Sequence, residues 1–202
     1  MARRRATYGR RMQKLTGAPL PRCFRYLPGW VERAEETFAE LVDLIDWERR
    51  DITIAGRTMP IPRLTCWMGE ATYVYSGISN PPKQAPQPIV EIQRRLSDEF
   101  RATFNSCLAN LYRDGQDSIG YHSDDEPGLG ARPVIASVSL GDRRRFTVRE
   151  VGSGERWQLD LGHGDLLLMS EESQSDYRHA VPKTRTAVGP RMNLTFRHFA
   201  QP

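Results

Sequence analysis

The sequence predicts a mainly β domain of the sandwich or barrel type with two flanking helices. Two observations carry this. From residue 106 onward, short stretches rich in aliphatic, β-branched and aromatic residues alternate with Gly- and Asp-containing turns at close spacing. Ahead of them, two longer stretches repeat apolar residues every three to four positions, the period of a helix with one buried face.

Taken in order, Pro28-Gly29 stops the chain before the first helix, expected over residues 30–45. There Val31, Ala34, Phe38, Leu41, Val42 and Ile45 fall on one face. The charged run Glu48-Arg49-Arg50-Asp51 ends it. Residues 52–54 and 63–67 read as short strands, with Ala55-Gly56-Arg57 a turn between them, and 73–75 as a third. Pro81, Pro82, Pro86 and Pro88 make residues 80–88 a loop. Ile89, Ile92, Leu96 and Phe100 predict a second helix over 89–104. The remaining strands are expected at 106–112, 134–140, 145–151, 156–161, 165–169, 177–181 and 191–198.

A chain of 202 residues fits one domain, over 21–202, preceded by a basic extension over about 1–20. Arg3, Arg4, Arg5, Arg10, Arg11 and Lys14 face no acid in that extension. They supply six of the 29 basic residues, which leaves a body slightly richer in its 25 acids. Such an arm suits nucleic-acid phosphates, or it is simply a solvated tail. No apolar run is long enough for a membrane span, and no hydrophobic stretch follows the basic start, so neither a membrane anchor nor a secretory signal is expected. Cys23, Cys66 and Cys107 are scattered and odd in number, which argues against a disulfide framework and for a reducing compartment. The expected location is therefore intracellular, cytoplasmic or with the nucleoid or nucleus. A monomer without a protein partner is expected.

The chemistry is carried by His122-Ser123-Asp124, His179 and the run Arg191-Met192-Asn193-Leu194-Thr195-Phe196-Arg197. Residues i and i+2 of a strand share a side, so His122 and Asp124 can reach one ion from one segment. His179, ahead of the apolar pair Ala180-Val181, suits the third ligand. Two imidazoles and a carboxylate form the facial triad of non-haem Fe(II) enzymes, with coordination positions left open. An HxD tripeptide alone is a weak signal. The downstream run strengthens it, because Arg191 and Arg197 supply cationic forks for a small dicarboxylate. Arg191, Asn193, Thr195 and Arg197 share parity, while Leu194 and Phe196 face the core. His163, in a turn, and His198, of opposite parity to Arg197, are set aside from the site.

On these residues the chain resembles the AlkB family of Fe(II)- and 2-oxoglutarate-dependent dioxygenases. The matching pieces are Asn110-Leu111-Tyr112-Arg113, His122-Ser123-Asp124-Asp125-Glu126, Ile135-Ala136-Ser137-Val138-Ser139, His163-Gly164-Asp165, His179 and the Arg191 to Arg197 run. Upstream, Pro62-Arg63-Leu64-Thr65, Trp67 and Tyr73-Val74-Tyr75-Ser76-Gly77 resemble the family's nucleotide-recognition part. Within the family, the branch carrying His-Ser-Asp-Asp-Glu-Pro is the nearer match.

The resemblance implies a double-stranded β-helix, the cupin-like jelly roll, over about 105–200, with nucleotide recognition at about 50–80. It implies Fe(II) held by His122, Asp124 and His179, with 2-oxoglutarate and O2 as co-substrates. Arg197 would meet the C1 end of 2-oxoglutarate. Arg191 would meet its distal carboxylate with help from Asn110 and Tyr112, and Asn193 and Thr195 would line the same pocket. Arg63, Trp67, Tyr73, Tyr75, Asp125 and Glu126 would meet the substrate base, the acids favouring a cationic N1-methyladenine or N3-methylcytosine. The implied reaction is oxidative demethylation of such bases in DNA, a repair of alkylation damage. The same chemistry on RNA, or hydroxylation of a protein, stays open. Residues 54–56 occupy the place of the family's base-displacing hairpin finger and hold no aromatic wedge, so single strands are expected to be preferred.

Overall fold

The computed structural model describes residues 19–200 except 55, 71, 72, 76, 77 and 131, so the basic segment 1–18 lies outside the described residues. In chain order the elements are β1 (Phe24–Leu27), α1 (Ala34–Leu44), β2 (Asp51–Ile54), β3 (Arg57–Pro60), β4 (Leu64–Gly69), β5 (Tyr73–Tyr75), β6 (Ile78–Asn80) and α2 (Gln87–Phe100). They continue with β7 (Ser106–Tyr112), β8 (Ile119–His122), β9 (Ile135–Gly141), β10 (Arg144–Glu150), β11 (Arg156–Leu161), β12 (Asp165–Met169), β13 (Tyr177–Val181) and β14 (Arg191–Arg197).

Two antiparallel sheets form the jelly roll. The larger runs β1-β12-β9-β14-β7-β4 and the smaller β11-β10-β13-β8. In the larger sheet β14 is zipped between β9 and β7, pairing with both along almost its whole length. Every residue of β9 and β14 is buried, because the sheet is covered on both faces. One face packs Met192, Leu194, Phe196, Ala136 and Val138 against Leu41 of α1 and Ile89, Ile92 and Leu96 of α2. The other looks into the roll, where Tyr112, Ile135, Leu167 and Met169 meet Phe146, Val148, Trp157 and Val181 of the smaller sheet. The strand alternation therefore aims the odd-numbered residues of β14 into the roll. Gly141 ends β9 at φ 85, where a Cβ would stand 2.4 Å from the Pro190 carbonyl oxygen, so glycine is required at this corner.

The strands read from the sequence after residue 105 match the structure within a residue or so. Four others escape pattern reading. β1 and β6 are too short to show a period, β3 is exposed throughout, and β8 carries Gly120 and an exposed Tyr121. The first helix also starts later than expected. Val31 donates its N–H to the Gly164 carbonyl and the Trp30 indole donates to Glu99, which holds these residues in an extended lead-in. The second helix ends earlier than expected, at Phe100, because Arg101 takes the left-handed conformation at φ 50. All three cysteines are buried free thiols. No described helix is long and apolar enough to cross a membrane.

Candidate active site

The polar end of the roll interior holds the sequence-selected residues. His122 ends β8 and pairs in register with His179 of β13, so the two imidazoles face each other with ring centroids 4.3 Å apart. Asp124 follows just beyond the strand. Its backbone N–H donates to Gln174 Oε1 at 2.9 Å, which turns the carboxylate inward. The candidate ligand atoms of His122, Asp124 and His179 all lie within 4.8 Å of one another. His122 is oriented by its Nδ1, which lies 2.9 Å from the Gly120 carbonyl oxygen, and His179 by Phe146, which stacks on its ring at 5.3 Å.

Electrostatics prepares this set for a cation. Burial pushes the His179 pKa down to about 3, with the neighbouring His122 adding to the effect. Burial lowers His122 as well. Asp124 resists the upward push of its own burial because the Arg197 guanidinium and the two histidines hold it down, at about 2. Near pH 7 the cluster thus offers two neutral imidazoles and one carboxylate, the protonation states that a divalent metal needs. His179 Nδ1 is buried without a hydrogen-bond partner. The donor set fits Fe(II).

These shifts have a consequence for the metal-free protein. Both groups bind fewer protons folded than unfolded: His179 between pH 6.5 and about 3, Asp124 between 3.8 and about 2. Folding stability must therefore fall as pH drops from 6.5 toward 3, first through the histidine and then through the aspartate. Melting of chelator-treated protein across that range checks it, and a midpoint that stays level between pH 6.5 and 4 would contradict the buried neutral imidazole.

Beside the cluster, one cavity is lined by Asn110, Tyr112, Arg191, Asn193, Thr195 and Arg197 together with Arg63, Ser137 and Phe146. Arg191 is 1% exposed, yet only its Nη2 has a hydrogen-bond acceptor, Ser139 Oγ at 2.8 Å. Its Nε and Nη1 are buried with none. Burial lowers the Arg191 pKa to about 10, opposed by the nearby Tyr112, so the guanidinium stays charged at neutral pH. A buried cation in a cavity wall, with two donors lacking acceptors and only the Tyr112 ring beside it at 5.2 Å, suits an anion. At the cavity's metal end, Arg197 donates to Asp124 Oδ1 at 2.7 Å. Asn193 donates to Ser137 Oγ and Thr195 donates to Asn193 Oδ1, each close to 2.9 Å, which fixes the wall between the two arginines.

The structure brings all three metal candidates and all six co-substrate candidates to this one cavity. The substrate-side set divides. Arg63 is in the cavity wall, where its Nε donates to Asn110 Oδ1 at 2.7 Å and so joins the co-substrate side. Trp67 is 2% exposed, packs edge-on against Phe199 at 5.4 Å and is not among the residues that line the cavity. Asp125 is exposed and accepts from Ser123 Oγ, and neither it nor Glu126 lines the cavity. The side chains of Tyr73 and Tyr75 lie outside the described residues, which give only the backbone pairing of β5 with β6. His163 lies away from the cluster, its Nδ1 accepting the Gly141 N–H, and His198 is exposed. Sequence reasoning missed Ser137, Ser139, Phe146 and Gln174. The serines left a signal, polar residues at alternate places in the very apolar strand β9. Gln174 left none.

A family model described as the 2OG-Fe(II) oxygenase superfamily matches residues 23–197. The mouse protein named alpha-ketoglutarate-dependent dioxygenase alkB homolog 3 is 40% identical over 182 residues, covering 84% of this chain and 64% of its own length. The human protein named DNA oxidative demethylase ALKBH2 is 34% identical over 177 residues, covering 81% of this chain and 68% of its own length. This chain belongs to the AlkB family of 2OG-Fe(II) oxygenases. The family implies Fe(II), 2-oxoglutarate and O2 as the reaction's requirements, in agreement with the donor set and the anion socket. This AlkB-family chain spans about two thirds of the length of the relatives it matches. Among solved structures, OsALKBH1 superposes with a TM-score of 0.62 over 90% of this chain and all of that one, at 20% identity. A 2OG-Fe(II) oxygenase family oxidoreductase from Burkholderia pseudomallei gives 0.56 over 88% of this chain and 86% of that one, at 18% identity. These two share the fold.

Proposed function

We propose that this protein is an Fe(II)- and 2-oxoglutarate-dependent oxidative demethylase of N-alkylated bases in DNA, of the N1-methyladenine and N3-methylcytosine type, and that it repairs alkylation damage. The observation that carries the reading is the buried, underpartnered Arg191 in the same cavity as the His122–Asp124–His179 cluster. A dicarboxylate that reaches the metal with one end satisfies Arg191 with the other. The names of the relatives support the nucleic-acid substrate.

His122, Asp124 and His179 would hold the iron, which supplies activation of O2 at the expense of 2-oxoglutarate and insertion of oxygen into the N-methyl C–H bond. The chain's own work is placement. Arg191 and Tyr112 bind the distal carboxylate, and Arg197 steadies both Asp124 and the near end of 2-oxoglutarate. Ile119, Phe146 and Val181 keep the cavity wall dry around the reacting centre. Asp125 and Glu126, directly after Asp124, offer carboxylates to a cationic base as it approaches. The hydroxymethyl group then leaves as formaldehyde: the C–N bonding pair returns to the ring nitrogen, neutralising the cationic base, and the hydroxyl proton passes to water.

The decisive experiment supplies Fe(II), ascorbate and 2-oxoglutarate with a single-stranded oligonucleotide carrying one N1-methyladenine, and follows the loss of the methyl mass. Loss that vanishes in His122→Ala supports the reading. No loss, with 2-oxoglutarate still bound, sinks it in favour of RNA or a protein as substrate.

Single strands are expected to react faster than duplex. The β2–β3 hairpin, residues 51–60, carries no aromatic residue to fill the gap left by an extruded base. Its turn at Ala55 lies outside the described residues. Equal turnover of matched single-stranded and duplex oligonucleotides would contradict this.

A further inference from the structure

The outer face of the smaller sheet carries three arginines side by side on neighbouring strands. Register puts Arg149 of β10 directly opposite Arg156 of β11 on one side and Arg178 of β13 on the other. Val148 and Trp157 point into the roll, so these three point out. The row continues to Ser123, whose Oγ accepts from Arg178 Nη1 at 2.6 Å. Ser123 lies between the ligand candidates His122 and Asp124, so the row crosses the sheet from its edge strand β11 to the metal cluster.

Like charges on directly opposed strand positions destabilise a sheet. Four residues along on the same face, Arg145 stands opposite Asp160 at 3.8 Å, so its charge has a counter-charge. Among the described residues none of Arg149, Arg156 and Arg178 pairs with a carboxylate, although Arg178 Nη1 donates to Ser123 Oγ and the Gln174 carbonyl, so an external anion meets exposed Arg156 and half-buried Arg149 and Arg178 without an acid of the chain on them. The Arg149 guanidinium lies 4.8 Å over the ring of Tyr121, an aromatic residue of β8 that is 40% exposed. A line of cations with an exposed aromatic ring is how sequence-independent proteins follow single-stranded nucleic acid, phosphates on the cations and bases on the ring.

We propose that the row Arg156–Arg149–Arg178 with Tyr121 is a track that guides the phosphate backbone of single-stranded nucleic acid toward the active site. The inference rests on the demethylase reading and extends it to the flanking, undamaged nucleotides.

The test measures binding of a lesion-free single-stranded 15-mer to iron-loaded protein under anaerobic 2-oxoglutarate, by fluorescence anisotropy over a series of salt concentrations. Each phosphate contact contributes about 0.7 to the slope of log K against log salt for single strands. Arg149→Gln/Arg156→Gln is expected to flatten that slope by about 1.4, and Arg145→Gln, whose charge is already answered, to leave it unchanged. Equal slopes for wild type and the double variant overturn the track. If the double variant does not fold, the exposed Arg156→Gln decides alone, with an expected flattening of about 0.7. Polyglutamate binding as tightly as the 15-mer, with the same loss in the variants, overturns it in favour of an acidic protein partner. The demethylase reading is judged separately, by demethylation of a methylated trinucleotide by wild-type protein. Product with unaltered slopes sinks only the track, and altered slopes without product sink only the demethylase reading.

Discussion

Arg191→Met is expected to abolish 2-oxoglutarate binding without weakening the empty protein. In the folded chain this guanidinium is 1% exposed and has Ser139 Oγ and the Tyr112 ring, 5.2 Å away, beside it but no carboxylate paired with it. It therefore costs desolvation until a carboxylate arrives, and replacing it with an apolar side chain of similar length removes that cost. Removing one partner of a buried, hydrogen-bonded charge pair costs about 3 kcal/mol, roughly a hundredfold in affinity. Wild-type protein should gain about 2.7 kcal/mol from 2-oxoglutarate at a hundred times its dissociation constant. For a chain of this size that raises Tm by about 5–10 °C. The variant should show no such rise at the same concentration, with a ligand-free Tm at or above wild type. A variant that melts well below wild type without ligand would mean that the guanidinium is a structural cation with partners of its own.

Asp124→Ala is expected to do the opposite to the empty protein. Asp124 and Arg197 form a fully buried pair at 2.7 Å with both side chains 4% exposed. Removing the carboxylate takes away the buried counter-charge closest to the Arg197 guanidinium, and breaking a buried pair from one side costs about 3–5 kcal/mol. Chelator-treated Asp124→Ala should therefore melt about 6–20 °C below wild type, while His122→Ala, which also loses a ligand, should melt close to wild type. Both variants should fail to retain Fe(II). Equal melting of the two in chelator would show that Arg197 finds another counter-charge and that the pair does not hold the fold.

The contrast between these residues shows how much of the site a reader of the sequence can recover. Parity along 191–197 separates Arg191, Asn193, Thr195 and Arg197 from Met192, Leu194 and Phe196 without a structure, because the strand period is fixed by the backbone. The convergence of His122, Asp124 and His179 is legible only through residue types and spacing, and the cross-strand pair His179–His122 supplies the cause. Gln174 is different. It reaches Asp124 from a loop fifty residues away, and nothing periodic marks it. The burial of Trp67 was not legible either, because an aromatic residue on a short strand fits a core and a stacking platform equally well. Packing against Phe199 depends on where the segment after β14 runs relative to β4, two strands away in the sheet, which no local pattern encodes. The short strands β1, β3, β6 and β8 were missed for a related reason: with three or four residues each, their conformation is set by partners rather than by their own preferences.

The place of β14 between β9 and β7 also governs how the chain can reach this state. Without β14, the other five strands of the large sheet fall into two separate ribbons, β1-β12-β9 and β7-β4, each ending in an open row of unpaired amides and carbonyls. Both flanking strands leave the ribosome before it does, so every nascent chain passes through a stage with two sticky edges facing one gap. Closure of that gap joins residues more than fifty positions apart, the kind of non-local pairing that makes folding slow and newly made chains prone to associate. The strand that carries Arg191 and Arg197 is thus also the last rung of the sheet, and a chain that has not yet placed these two buried arginines has not yet closed its largest sheet.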